Sequence, residues 1–375
     1  MYSGEGNGLS YRIGAEGRTN DLVRSVCRII RILVRQPIVL MRYRIVALLL
    51  AFTIYGCATL IPAFIPKAQG ELCSAPDCLE ADAYFWDQFH AGHFDSIPQV
   101  LFKLQNAYLN NQQDWRLAAH IGFTHAWAIA EYEKGENTPL VTDHATLANY
   151  YFKKAFDLNP KKDWRHYGFW ASFLMAEGGI HNDTKDMVGG YFTMKKAVRK
   201  YPEFNLFTAA YTLASSPRPQ DREAAVDMLW KNLDKCAGER VDRDRLDYRK
   251  YLPQKEVNGK MSTCWNTFIA PHNMEGFLLV LGDLLVKRGD LERALRVYEN
   301  ARYFEEYDYW AFKALNEARI RDVRQAIERN LMVESINLPA FDRCMVCHQE
   351  RRFAPVPADA HVNFPAMAVE VHLRD

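Results

Sequence analysis

The sequence predicts an all-α chain: an irregular helical-repeat solenoid with an extended C-terminal tail. Three observations carry that reading. From about residue 83 to 332, apolar residues recur at three- and four-residue spacing with little strand-like alternation. Turn-forming clusters punctuate this region every fifteen to twenty-five residues. Several of the resulting segments resemble one another, as stacked repeats do. The expected organisation is a basic N-terminal segment with an export or anchoring sequence (1–66), a linker (67–82), the helical repeats (83–332) and the tail (333–375).

The first 56 residues carry eight arginines and three acids, 8 − 3 = +5, whereas the rest carries 39 basic and 43 acidic residues, 39 − 43 = −4. The run from Ile45 to Ile65 has no charge and is about long enough to span a bilayer. Arg42 and Arg44 flank it, so its C-terminal side is expected to face outward. Read from Met41, the text MRYRIVALLLAFTIYGC is a short basic region, an apolar stretch and Gly56-Cys57. This resembles a bacterial lipoprotein signal, and the resemblance implies lipidation of Cys57. Tyr55 is bulkier than that pattern prefers, and an uncleaved anchor is the alternative; Pro62 and Pro66 disfavour a long spanning helix. Both readings export the remainder and tie it to a membrane through a lipid or a helix. Residues 1–40 would then be an extension or an upstream mis-start. The arginine-rich, apolar segment before Met41 would form a basic amphipathic helix suited to an anionic membrane surface. Residues 67–82 are polar and read as a linker or short cap.

Within the body, LGDLLVKRGDLERALRVYENA (281–301) is the clearest unit. Gly282 and Ala294 are small where two antiparallel helices would cross, Gly289 would end the first helix, and Tyr298 and Ala301 share one face of the second. The unit resembles a tetratricopeptide repeat. Worn copies of the same spacing are Ala148, Phe152, Ala155 and Pro160, then Trp164, Tyr167, Gly168 and Ala171, then Ala197 and Pro202. DREAAVDMLWKNL (221–233) reads as a further second helix, and Leu315, Ala318, Val323, Ile327 and Leu331 mark a closing one. The resemblance implies three to five repeats with a concave partner-docking face. Most of the aromatic rings are expected to fill helix-pair interfaces. Residues 234–263 are highly charged and read as a long surface loop.

The tail contains Cys344-Met345-Val346-Cys347-His348. Two cysteines separated by two residues can each add to one vinyl group of a single porphyrin, and the histidine that follows is held under the iron. This is the attachment signature of c-type haem. The alternatives are a redox disulfide, which wants a βαβ context absent here, and half of a zinc site, which wants a second ligand pair. Cys344 and Cys347 are therefore the expected thioether positions and His348 the proximal iron ligand. His361, Met367 and His372 offer a distal ligand, with His361 favoured: thirteen residues of chain, stiffened by Pro355 and Pro357, suffice to round a porphyrin. Only 27 residues follow His348, too few to wrap a haem as a class I cytochrome domain does, so the haem must lean on the solenoid, another subunit or a partner.

Covalent haem attachment demands export; with Cys27 cytoplasmic or absent, Cys57 the lipid candidate and Cys344 and Cys347 at the haem, four cysteines remain, and an even remainder in an oxidising compartment suggests two disulfides. Cys73–Cys78 and Cys236–Cys264 are the expected disulfides among three connectivities. His90 with His93, and His120 with His125, are conceivable metal pairs, although core or solvated histidines are commoner. There is no phosphate-cradling glycine loop, no nucleophile–base arrangement and no basic stripe beyond the N-terminus, so nucleic-acid binding and hydrolytic chemistry are not expected. The expectation is a periplasm-facing, membrane-anchored protein of the bacterial cell envelope. It would not be an enzyme; it would carry haem c in electron transfer with a redox partner or another haem protein, with an oligomer left open. The alternatives are an envelope-assembly scaffold lipoprotein whose CxxCH is a disulfide or a structural haem site and, third, a haem enzyme.

Overall fold

The computed structural model of the protein describes residues 70–131, 138–214, 216, 218–255, 259–331 and 344–350. Among them the fold is all-α: the β-structure there is one isolated antiparallel bridge between Trp310 and Glu350. The helices are α1 (Pro76–Ala91), α2 (Ile97–Asn110), α3 (Trp115–Glu131), α4 (Thr138–Leu158), α5 (Trp164–Ile180), α6 (Thr184–Lys200), α7 (Pro202–Ala214), α8 (Pro219–Ala237), α9 (Asn273–Arg288), α10 (Leu291–Asn300) and α11 (Lys313–Arg329). Each packs chiefly on its neighbours in sequence, the pattern that short connections impose.

Local chemistry sets the boundaries. Pro76, Pro202 and Pro219 open their helices, where the missing N–H costs no internal bond. Asp163 accepts from the Arg165 N–H at 2.9 Å and so caps α5, and Asp183 caps α6 by accepting from the Lys185 and Asp186 N–H groups. Gly289 ends α9 at φ 88°, a conformation that a side chain would strain. Gly282 lies where the Tyr298 ring crosses α9: an added Cβ would stand 2.6 Å from Cδ1 of that ring. Ala294, Tyr298 and Ala301 are fully buried. The small and aromatic positions of the 281–301 segment are thus a helix-pair contact.

Three expectations change. Helix α1 starts at Pro76, inside the stretch read as linker, because Cys78, Ala81, Phe85 and Phe89 form a buried stripe that the polar flanking residues obscure. The charged 234–263 segment is more than a surface loop. Its apolar minority, Val241, Leu246, Tyr248 and Tyr251, is buried. Asn300 of α10 anchors it, accepting from the Tyr248 N–H at 2.6 Å and donating to the Leu246 carbonyl at 3.0 Å. Finally, Leu331 falls beyond the end of α11, and the buried face there is Asn316, Arg319, Ile320, Val323 and Ala326.

Candidate functional site

The CMVCH segment forms a single 3-10 turn, Cys344–Cys347, in which the His348 and Gln349 N–H groups both donate to the Met345 carbonyl at 3.0 Å. Elements distant in sequence hold this turn. The His272 N–H donates to the Cys347 carbonyl at 3.0 Å, Trp310 Nε1 donates to the Val346 carbonyl at 2.7 Å, and the Glu350 N–H donates to the His90 carbonyl at 2.9 Å. Met345, Val346 and Cys347 are buried. Gly276 of α9 gives the turn its berth: a Cβ there would stand 2.5 Å from Cys347 Sγ and 3.0 Å from both Cys347 N and Val346 C.

His348 is held by its outer nitrogen. Its Nδ1 lies 2.7 Å from the Ile269 carbonyl oxygen, and a carbonyl only accepts, so Nδ1 carries the proton and donates. That tautomer leaves the ring's lone pair on Nε2, the nitrogen that could ligate a metal. Burial lowers the His348 pKa to about 4 despite the opposing pull of the Ile269 hydrogen bond, so the imidazole is neutral at physiological pH. Its ring packs on Phe89, with centroids 5.0 Å apart.

His348, Cys347, Val346 and Met345 form part of the wall of a cavity of about 1790 Å³. This is larger than the roughly 300–1,000 Å³ of ordinary ligand pockets. Helices α1, α3, α5 and α7 and the 259–273 segment line much of the rest, with Trp86, Phe89, Phe123, Trp127, Phe207 and Phe268 prominent. Most rings were expected to fill helix-pair interfaces, but many of them line this space. Two further histidines line it. His120 Nδ1 lies 2.9 Å from Asp82 Oδ1, and Asp82 Oδ2 in turn lies 3.3 Å from Arg116; all three side chains are buried. His166 has its pKa lowered to about 4, by burial first and against the attraction of Asp163, and its buried Nδ1 has no hydrogen-bond partner. An apolar aromatic cavity, a thiol and a neutral imidazole on one wall, and further imidazoles around it are a donor set that suits an iron porphyrin held through the motif.

The other expected site residues fall as follows. Cys344 contributes its backbone to the turn, while its side chain, Cys57, His361, Met367 and His372 lie outside the described residues. Cys73 and Cys78 have their sulfurs at bonding distance, with Cα atoms 6.0 Å apart, as do Cys236 and Cys264, with Cα atoms 5.4 Å apart. The histidine pairs do not assemble metal sites. His90 points Nε2 at the Ile269 carbonyl (3.5 Å), His93 meets Gln88 (3.1 Å), His120 meets Asp82, and His125 Nδ1 meets His144 Nδ1 at 2.7 Å. Sequence reasoning missed Ile269, Trp310, Gly276 and Asp82. Their partners lie 36 to 79 residues away, and no local pattern marks them. Among the described residues no helix is long and apolar enough to cross a membrane, and the 45–65 run lies outside them. No family model matches the chain, and neither a curated protein nor a solved structure matches it.

Proposed function

We propose that this chain is an exported, membrane-anchored c-type haem protein of electron transfer, built on a tetratricopeptide-like scaffold that docks a redox partner. The observation that carries the reading is the neutral His348, tethered through Nδ1 to the Ile269 carbonyl and facing an aromatic cavity beside Cys347. Cys344 and Cys347 would bond the porphyrin and His348 Nε2 would ligate its iron. Bound haem would supply one-electron exchange: one electron arrives from a reduced partner protein and one leaves to an oxidised haem protein, with no atom transferred.

The chain's own residues do the remaining work. Ile269 fixes the orientation of the His348 ring, and its acceptor oxygen strengthens the imidazole as a donor. Phe89, Trp86 and Phe268 keep water from the cavity wall, which lessens the reorganisation that accompanies a change of charge. Bound haem would pack against the helices that line this cavity. The test is export alongside a cytochrome c maturation system, followed by haem staining of a denatured gel and intact mass. Wild type should carry one haem resistant to denaturation, and the double change Cys344→Ala with Cys347→Ala should lose it. A plain apo mass for the exported wild type overturns the reading and favours a scaffold lipoprotein.

A further inference from the structure

We propose that His120, positioned by Asp82, is the second axial ligand of the iron whose first ligand is His348. This rests on the haem reading above.

Three observations lead to it. His120 and His348 line the same cavity, from helix α3 and from the CMVCH turn. Each ring has an oxygen beside its Nδ1: the Ile269 carbonyl, hydrogen-bonded at 2.7 Å, for His348, and the Asp82 carboxylate, at an ion-pair distance of 2.9 Å, for His120. A histidine whose Nδ1 faces a carboxylate is fixed in ring orientation and presents a more basic Nε2, the usual outer arrangement behind a metal-bound imidazole. Finally, the two histidines are joined by a short series of rings along the cavity wall. His348 meets Phe89 at 5.0 Å, Phe89 meets Trp86 at 6.2 Å, and Trp86 meets His120 at 5.1 Å. Phe85 stacks on His120 at 4.3 Å and closes its other side.

The competing histidines are less suited. His90 turns Nε2 toward the Ile269 carbonyl and does not line the cavity. His166 lines it but meets Trp115 and Phe123 instead of that series. Asp82 is a positioning residue. With Arg116 at 3.3 Å and His120 at 2.9 Å, its carboxyl group would orient the His120 ring and favour Fe(III) in bound haem.

The test uses full-length holoprotein, with covalent haem first established by staining and mass, and reads spin state by optical and low-temperature electron paramagnetic resonance spectra. Wild type and His361→Ala should both be low-spin and bis-histidine. His120→Ala should keep its covalent haem but become predominantly high-spin, and added imidazole should restore the low-spin spectrum. Asp82→Asn should remain low-spin with a raised midpoint potential. Should His120→Ala fail to fold by circular dichroism, His120→Met decides: a far-red methionine–iron charge-transfer band supports the assignment, and an unchanged bis-histidine spectrum overturns it. A high-spin wild type, a low-spin His120→Ala, or loss of the low-spin spectrum in His361→Ala each overturns it. Absence of covalent haem from wild type is a separate result, seen before any spectrum, and removes the parent reading.

Discussion

Gly276→Ala isolates the contact that seats the CMVCH turn, because two effects of opposite sign compete there. Alanine in place of glycine in a helix gains about 0.8–1.0 kcal/mol of intrinsic propensity. Against this, the new methyl would stand 2.5 Å from Cys347 Sγ and 3.0 Å from Cys347 N and Val346 C. Two of those three atoms are backbone, and the turn cannot retreat freely. Retreat would stretch the bonds from the His272 N–H to the Cys347 carbonyl and from Trp310 Nε1 to the Val346 carbonyl. Overpacking of this kind costs about 1–3 kcal/mol, and weakening each buried hydrogen bond adds about 0.5–1.5 kcal/mol. The steric term wins, and Gly276→Ala should be net destabilising by roughly 1–3 kcal/mol. Gly189 in α6 is the control: the nearest atom to its added Cβ is Leu174 Cδ2 at 3.9 Å, so Gly189→Ala should stabilise by about 0.5–1 kcal/mol. Urea unfolding of the disulfide-intact protein, followed by circular dichroism, measures both. If Gly276→Ala stabilises as much as Gly189→Ala, the turn does not pack against α9, and the seating of His348 argued from it fails.

Trp310→Phe leaves the buried Val346 carbonyl without its donor and should cost about 1–3 kcal/mol in the same urea assay; a change within error would remove Trp310 from the anchoring set. Cys236→Ser with Cys264→Ser should cost roughly 3–4 kcal/mol from the 28-residue separation, and peptide mapping without reductant should recover the two cysteines as one linked species; recovery of both as thiols would refute it. Acid should weaken the apoprotein early. Burial, with His144 adding to it, lowers the His125 pKa to about 3, and burial lowers His166 to about 4 against Asp163. In the unfolded chain both titrate near 6.5, so it binds the extra protons and stability falls as pH drops from about 6.5 toward 4, while above 6.5 their contribution is complete. Equal urea midpoints at pH 7 and pH 5 would contradict this. Mass spectrometry of the mature N-terminus should find a lipidated Cys57; a terminus intact upstream of it would favour the uncleaved anchor.

The sequence by itself determined the helical class, because three- and four-residue apolar spacing is a local property of the chain. It also determined the helix-pair contact in 281–301, where Gly282, Gly289, Ala294 and Tyr298 lie within one short segment. The CMVCH motif is legible for the same reason: it is five consecutive residues. Helix α1 was hidden, since polar residues around Cys73 and Asp77 mask a stripe that exists only once something packs against it. The burial of Tyr248 and Tyr251 was hidden by the charges around them and depends on Asn300, about fifty residues on. Only the tertiary structure decided which groups hold the CMVCH turn and share its cavity. The Ile269 carbonyl, the Gly276 berth, the Trp310 donor and the Asp82–His120 pair come from separate segments, and local spacing carries no record of contacts made across 36 to 79 residues. Those contacts depend on how the helices stack, and stacking is set by the summed packing of many side chains, which no single motif encodes.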